Sequence, residues 1–184
     1  MQNSSNQSAH RGAVRSAADA AVYCREIIVS HMFRMETETS KVDRPRRDLL
    51  RARLRETNTA ASPAIRALRG TAEEREVPLQ IWMFTGEGDE EKLVAGLDAH
   101  TWARWLHINL LWVDAPHRAA GLGSRLLLEA ERAAREDRDC LDSRVWTWDF
   151  QAPGFYKKYG YDVVCEIPDY PPGITEYTMT KRLA

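Results

Sequence analysis

From Pro78 onward the apolar positions of this chain follow two rhythms in turn. Leu79-Gln80-Ile81-Trp82-Met83-Phe84 places Ile81 and Met83 on one face, the period-two mark of a half-buried strand. Gly86-Glu87-Gly88-Asp89 predicts a hairpin turn, and Lys92 to Thr101 the returning strand, in which Gly96 permits a close approach. Trp105 to Val113, apolar except for His107 and Asn109, reads as a central strand. The rhythm then lengthens. Leu122, Leu126, Ala130, Ala133 and Ala134 form one helical stripe, with Glu131 and Arg135 expected to pair on the outer face. Val145-Trp146-Thr147-Trp148 is the next strand, and the crossover helix before it predicts a parallel neighbour for the central strand. Pro153 starts a short helix and Gly160 stops it. Tyr161 to Ile167 and Thr175 to Arg182 predict a closing antiparallel pair.

The first third of the chain is less regular. Met1 to Gly12 is rich in Ser, Asn and Gln and reads as disordered; Ala13 to Ser30 has a poor helical face. Phe33-Arg34-Met35-Glu36-Thr37-Glu38-Thr39 alternates and predicts a first strand. Asp43 and Pro45 signal a helix start, with Leu49, Leu50 and Leu54 as its apolar face through Thr57. Ser62 to Leu68 predicts a second short helix, ended by Gly70. The expected organisation is an extension over residues 1–31 and one domain over residues 32–184.

Composition narrows the function classes. Of 184 residues, 43% are apolar and 29% charged, the profile of a globular domain that buries a core. A net charge of −1 provides no global field for nucleic acid, so that partner is disfavoured. The arginines of the first helix, Arg44, Arg46, Arg47, Arg51, Arg53 and Arg55, read as a solvated face. No apolar run reaches the roughly 20 residues of a membrane span, and the polar N-terminus lacks a secretory pattern. Three widely spaced cysteines suggest neither a disulfide framework nor zinc, and the expected setting is cytoplasmic, with no metal.

The densest chemical signal follows the central strand. Arg118-Ala119-Ala120-Gly121-Leu122-Gly123-Ser124 joins strand to helix, which makes a backbone anion site: N–H groups point into the turn and the helix dipole adds positive potential. Gly121 and Gly123 lack the Cβ atoms that would hold a phosphate off the backbone. The spacing matches neither a dinucleotide-binding G-x-G-x-x-G nor a P-loop, which needs Lys-Ser or Lys-Thr. The R-x-x-G-x-G pattern, preceded by Val113 at the strand end, resembles the pyrophosphate motif of the GNAT superfamily of acetyl-CoA-dependent N-acetyltransferases. A second landmark, Asp149-Phe150-Gln151-Ala152-Pro153-Gly154-Phe155-Tyr156 through Tyr159-Gly160-Tyr161, is similar to that family's tyrosine-bearing helix. Together with Tyr170-Pro171-Pro172-Gly173 it resembles one bacterial branch of the family, from which Ile174 departs by replacing a histidine.

The resemblance implies an α/β (α+β) GNAT fold: a mixed, mostly antiparallel sheet of six or seven strands with a parallel splayed pair, flanked by helices. It implies acetyl-CoA as co-substrate, with pantetheine against the backbone of Leu111, Trp112 and Val113. It implies pyrophosphate on Arg118, Ala119, Ala120, Gly121, Leu122, Gly123 and Ser124, and further cofactor contacts from Asp149, Gln151 and Tyr156. Tyr156 is the expected general acid, since a phenol protonates a departing thiolate without ionising at neutral pH. Where many relatives carry a catalytic Glu this chain has Asn109, which holds water but takes no proton; His107, two residues away on the same face, is the candidate base. The expected function is acetyl transfer to a primary amine of a small molecule or a protein by direct attack in a ternary complex, and a homodimer is compatible with it. A CoA-binding module without turnover is the alternative, with Asn109 as its support; an RNA-acetylating enzyme is a third reading, carried by the arginine helix.

Overall fold

The computed structural model describes residues 33–183, and the period-two segments there find partners in one six-stranded sheet of order β1-β2-β3-β4-β6-β5. The strands are β1 (Val77–Thr85), β2 (Lys92–Trp102), β3 (Trp105–Val113), β4 (Asp142–Trp148), β5 (Asp162–Ile167) and β6 (Glu176–Arg182). The helices are α1 (Arg44–Ala61), α2 (Pro63–Leu68), α3 (Leu122–Arg138) and α4 (Pro153–Lys158). Every strand pair is antiparallel except β3 with β4, whose crossover runs through α3. The expected mixed sheet with one parallel pair is present, with six strands.

The described chain divides after Leu54 into two units. In the first, Asp43 caps α1, its carboxylate accepting from the Arg46 N–H at 3.0 Å. Phe33 to Thr39, expected as a strand, forms none: Phe33 and Met35 are exposed and no described strand pairs with the segment. Alternation marks a surface suited to a sheet, and only a neighbouring edge makes it a strand. The expectations for residues 1–32, disorder and a weak helix, lie outside the described residues.

In the second unit, α3 lays its stripe against one face of the sheet. Leu126, Leu127, Ala130 and Ala134 meet Leu97, Ala99, Leu106, Ile108, Val145 and Met179 in a buried core. Each of the large aliphatic chains there contributes about 1.5–3 kcal/mol by leaving water. Glu131, expected on the outer face with Arg135, is instead buried and paired with Lys181 of β6. The stripe is wide enough to turn position 131 inward, and the Lys181 ammonium pairs with one of the carboxylate oxygens there. On the opposite face, Gly96 seats the Trp82 ring so closely that an added Cβ would lie 2.6 Å from it.

A bulge opens the sheet. Asp98 pairs Leu110 and Ala99 pairs Ile108, which leaves Asn109 as the extra residue of β3. A bulge bends its strand, and β3 leaves β4 at that level: their pairing runs from Trp105↔Asp142 to Ile108↔Val145 and stops.

Candidate active site

The turn before α3 is built to present donors. Ala119 and Gly121 hold positive φ, 64° and 79°, and Gly121 is the cap of α3. The first helical bond is Arg125 N–H to Gly121 C=O at 3.1 Å, so the N–H groups of Leu122, Gly123 and Ser124 have no carbonyl behind them. An added Cβ at Gly121 would meet nothing within 4 Å, so its backbone angle and the open approach to the turn, not crowding, favour glycine. Tyr159 donates to Ser124 Oγ, which leaves the Ser124 hydroxyl hydrogen free to donate outward. Arg118 bonds through Nε to the Val113 carbonyl at 3.2 Å, so its guanidinium is tied across the mouth of the turn. This donor set, open and positively biased, fits a diphosphate.

Leu111, Trp112 and Val113 pair with β2 on one side, while their other edge lies past the last β3–β4 pair. That edge is the backbone the gap offers to a peptide-like arm. Asp149 and Gln151 close the β4–α4 corner instead of standing free. Asp149 accepts from the Thr175 N–H at 3.1 Å, and Gln151 Oε1 accepts from Thr147 and from the Trp148 N–H, both at 3.2 Å. Each retains unused polar atoms, so these hydrogen bonds orient the pair without consuming it. Tyr156, on α4, is 5% exposed and packed edge-on against Phe155 and Tyr161. Burial pushes its phenol up to about 12, so it remains protonated throughout the neutral range.

The sheet face away from α3 carries a polar network that includes two residues the sequence pattern did not single out, Asp98 and His100. Asp98 accepts from Gln80 at 2.7 Å and from Asn109 at 3.1 Å, and these bonds, Gln80 first, hold its carboxyl below the usual range. Asn109 Nδ2 also lies 3.2 Å from His100 Nδ1. With both amide hydrogens so engaged, the ring nitrogen accepts and the Asn109 carbonyl oxygen is left as an oriented acceptor. His100 stacks on His107 at 4.7 Å. His107 is drawn down to about 4, first by burial and then by the positive charges His100 and Arg144 can bring. Taking a proton from an ammonium with pKa near 10 onto so weak a base costs about 8 kcal/mol, so its surroundings do not favour the base role. The signal for Asp98 and His100 was their place on the polar side of an alternating strand. The pairing of β2 with β3 brings them to Asn109.

Beside this network lies a cavity of about 600 Å³ lined by Arg144, Trp146 and Trp148 of β4, Glu176 and Thr178 of β6, and Asp169 to Pro172 of the β5–β6 loop. Register joins the two regions, since His107 faces Arg144. Trp146 and Trp148 meet edge-on at 5.7 Å, and the indole N–H of Trp148 is buried without a partner among the described residues. Asp169 accepts from the Gly173 N–H at 3.1 Å, which pins the loop. Cys140 is buried and its thiol pushed up by that burial, which argues against a covalent acyl-cysteine at that position. No metal-ligating cluster occurs among the described residues, and no described helix is long and apolar enough to cross a membrane.

Comparison with known proteins places this geometry. A family model described as acetyltransferase (GNAT) family matches residues 46–161. A curated blasticidin-S acetyltransferase of Streptomyces morookaense is 50% identical over 131 residues, covering 71% of this chain and 96% of its own. A curated acetyltransferase of Agrobacterium fabrum is 29% identical over 54% of this chain and 72% of its own. The crystal structure of an acetyltransferase from Bacillus cereus is 28% identical, with a TM-score of 0.64 over 83% of this chain and 99% of its own.

Proposed function

The chain belongs to the acetyltransferase (GNAT) family and is an acetyl-CoA-dependent acetyltransferase; on that premise we propose that it acetylates a primary amine of a small molecule, with blasticidin-S as the first acceptor to test. The observation that carries this reading is the opening of β3 from β4 after Ile108, with an anion turn at one end and an aromatic cavity on the face away from α3. The relative's name adds the acceptor, at 50% identity over nearly its whole length.

Acetyl-CoA supplies an activated acyl carbon and a thiolate leaving group. The N–H groups of Leu122, Gly123 and Ser124, the Ser124 hydroxyl and Arg118 bind the diphosphate, and the free edge of Leu111 to Val113 lines the pantetheine arm. The amine enters from the cavity side and attacks directly, both reactants being held in register by the gap. The Asn109 carbonyl oxygen, fixed by Asp98, accepts a hydrogen bond from the incoming amine or from a water beside it. The proton leaves through that water to solvent, since the Nδ1 lone pair of His100 is taken by the Asn109 N–H and its Nε2 then carries the ring hydrogen. Tyr156 donates to the sulfur as charge develops there.

The test is thiol release from acetyl-CoA by the purified protein over a panel of amines including blasticidin-S, with mass spectrometry of the product. Acetylated blasticidin-S is the expected result. Turnover with a protein lysine and none with any small amine would overturn the small-molecule reading.

A further inference from the structure

The walls of the cavity beside the gap are not what a simple alkylamine needs. Trp146 and Trp148 are adjacent outward positions of β4, and their cross-strand partners on β6 are Thr178 and Glu176. Tyr170 lines it from a loop that Asp169 pins. Two carboxylates, Asp169 and Glu176, thus stand beside aromatic faces, and Arg144 is the one cation among the described lining residues. Arg144 sits at the other end of β4's outward row, in register with His107.

We propose that this cavity is a specificity subsite for a planar, delocalised cation carried by the acceptor, of the guanidinium or amidinium class. Two features select that class over a compact ammonium. A flat cation stacks on indole and phenol faces while its N–H edge reaches a carboxylate, and it gives up its hydration more readily than an ammonium does. Indole faces provide the stronger cation attraction, and the β4–β6 register sets Glu176 directly opposite Trp148 at the edge of such a stack. Arg144 gives the site polarity. It repels a second cation at the His107 end, which keeps the planar cation toward Glu176, and its positive charge favours the neutral, nucleophilic form of an amine arriving near it. The acceptor is therefore held at two points, a cation in the aromatic slot and a free amine at the gap.

This inference rests on the reading of that face as the acceptor side, and the experiment separates the two. Benzamidine and its neutral isostere benzamide are titrated into the full-length protein saturated with CoA, with tryptophan emission as the readout and CoA affinity measured separately by calorimetry. Benzamidine is expected to bind about tenfold more tightly than benzamide and to compete with the amine acceptor in turnover. Glu176→Gln should bring benzamidine down to the level of benzamide, and Trp146→Leu should weaken both, each with CoA affinity unchanged. Equal binding of the two probes to the wild-type protein, no binding of either, or indifference of benzamidine to Glu176→Gln would overturn the subsite while leaving acetyl transfer intact. Loss of CoA binding at the α3 turn in the wild-type protein would instead overturn the functional reading.

Discussion

Tyr156→Phe isolates one oxygen atom. The ring is buried among Phe155 and Tyr161, and burial is the sole cause that raises its phenol to about 12. No described residue hydrogen-bonds to the hydroxyl, so Phe keeps the packing and orphans no protein partner. The raised value decides what the hydroxyl does. Full transfer of its proton to a free thiolate, with a thiol pKa near 8.5, runs uphill by about 5 kcal/mol. The role proposed for Tyr156 is therefore that of a hydrogen-bond donor to sulfur as charge builds. A hydrogen bond to a charged group is worth about 1.5–3 kcal/mol, so kcat should fall about 10- to 150-fold. KM for acetyl-CoA and Tm should remain near wild type, since binding and packing are untouched. The assay is thiol release at saturating substrates, with a single-turnover measurement to establish that chemistry limits the rate. Wild-type kcat should also show no tyrosine-dependent loss through pH 10, the ordinary phenol value, because the group titrates near 12. A fall of less than about threefold with chemistry limiting would refute the assignment.

Three further perturbations probe the rest of the site. Gly121→Asp and Gly121→Asn carry the same positive-φ strain and differ by one charge; by calorimetry Asp should weaken CoA about 10- to 100-fold more than Asn, with the gap shrinking at high salt, and equal losses would mean no anion binds there. Asp98→Asn keeps one acceptor oxygen and turns the other into a donor, so Gln80 and Asn109 can no longer both be held; kcat/KM should fall about tenfold while CoA affinity holds, and an unchanged rate would dismiss the network. His107 titrates near 4 when folded and near 6.5 when unfolded, so the unfolded chain binds more protons between these values. Its contribution to stability is thus fully present above pH 6.5 and lost as pH falls toward 4. Thermal melts of His107→Gln against wild type over pH 7 to 4 should show a smaller acid loss in the variant, and parallel curves would contradict the half-buried, neutral imidazole.

Local chemistry alone determined a good deal of this protein. Positive φ at a strand-to-helix corner favours glycine, and a helix start leaves amides unpaired, so Arg118 to Ser124 is legible as a turn that presents backbone donors. Period-two and helical stripes likewise placed β1 to β6 and α3 within a few residues, because burial of one face is written in the spacing of apolar side chains. What depends on which strand lies beside which was not legible. Phe33 to Thr39 alternates as well as a strand does and has no described edge to join. Glu131 faces inward because Lys181, fifty residues away, waits there. Asp98 and His100 reach Asn109 only once β2 pairs with β3, and the bulge in that pairing lies where β3 parts from β4. Trp146, Trp148 and Glu176 become one cavity wall only once β6 pairs with β4. Each of these juxtapositions is a long-range contact whose energy belongs to a pair of segments, and neither segment carries a trace of the other in its own pattern.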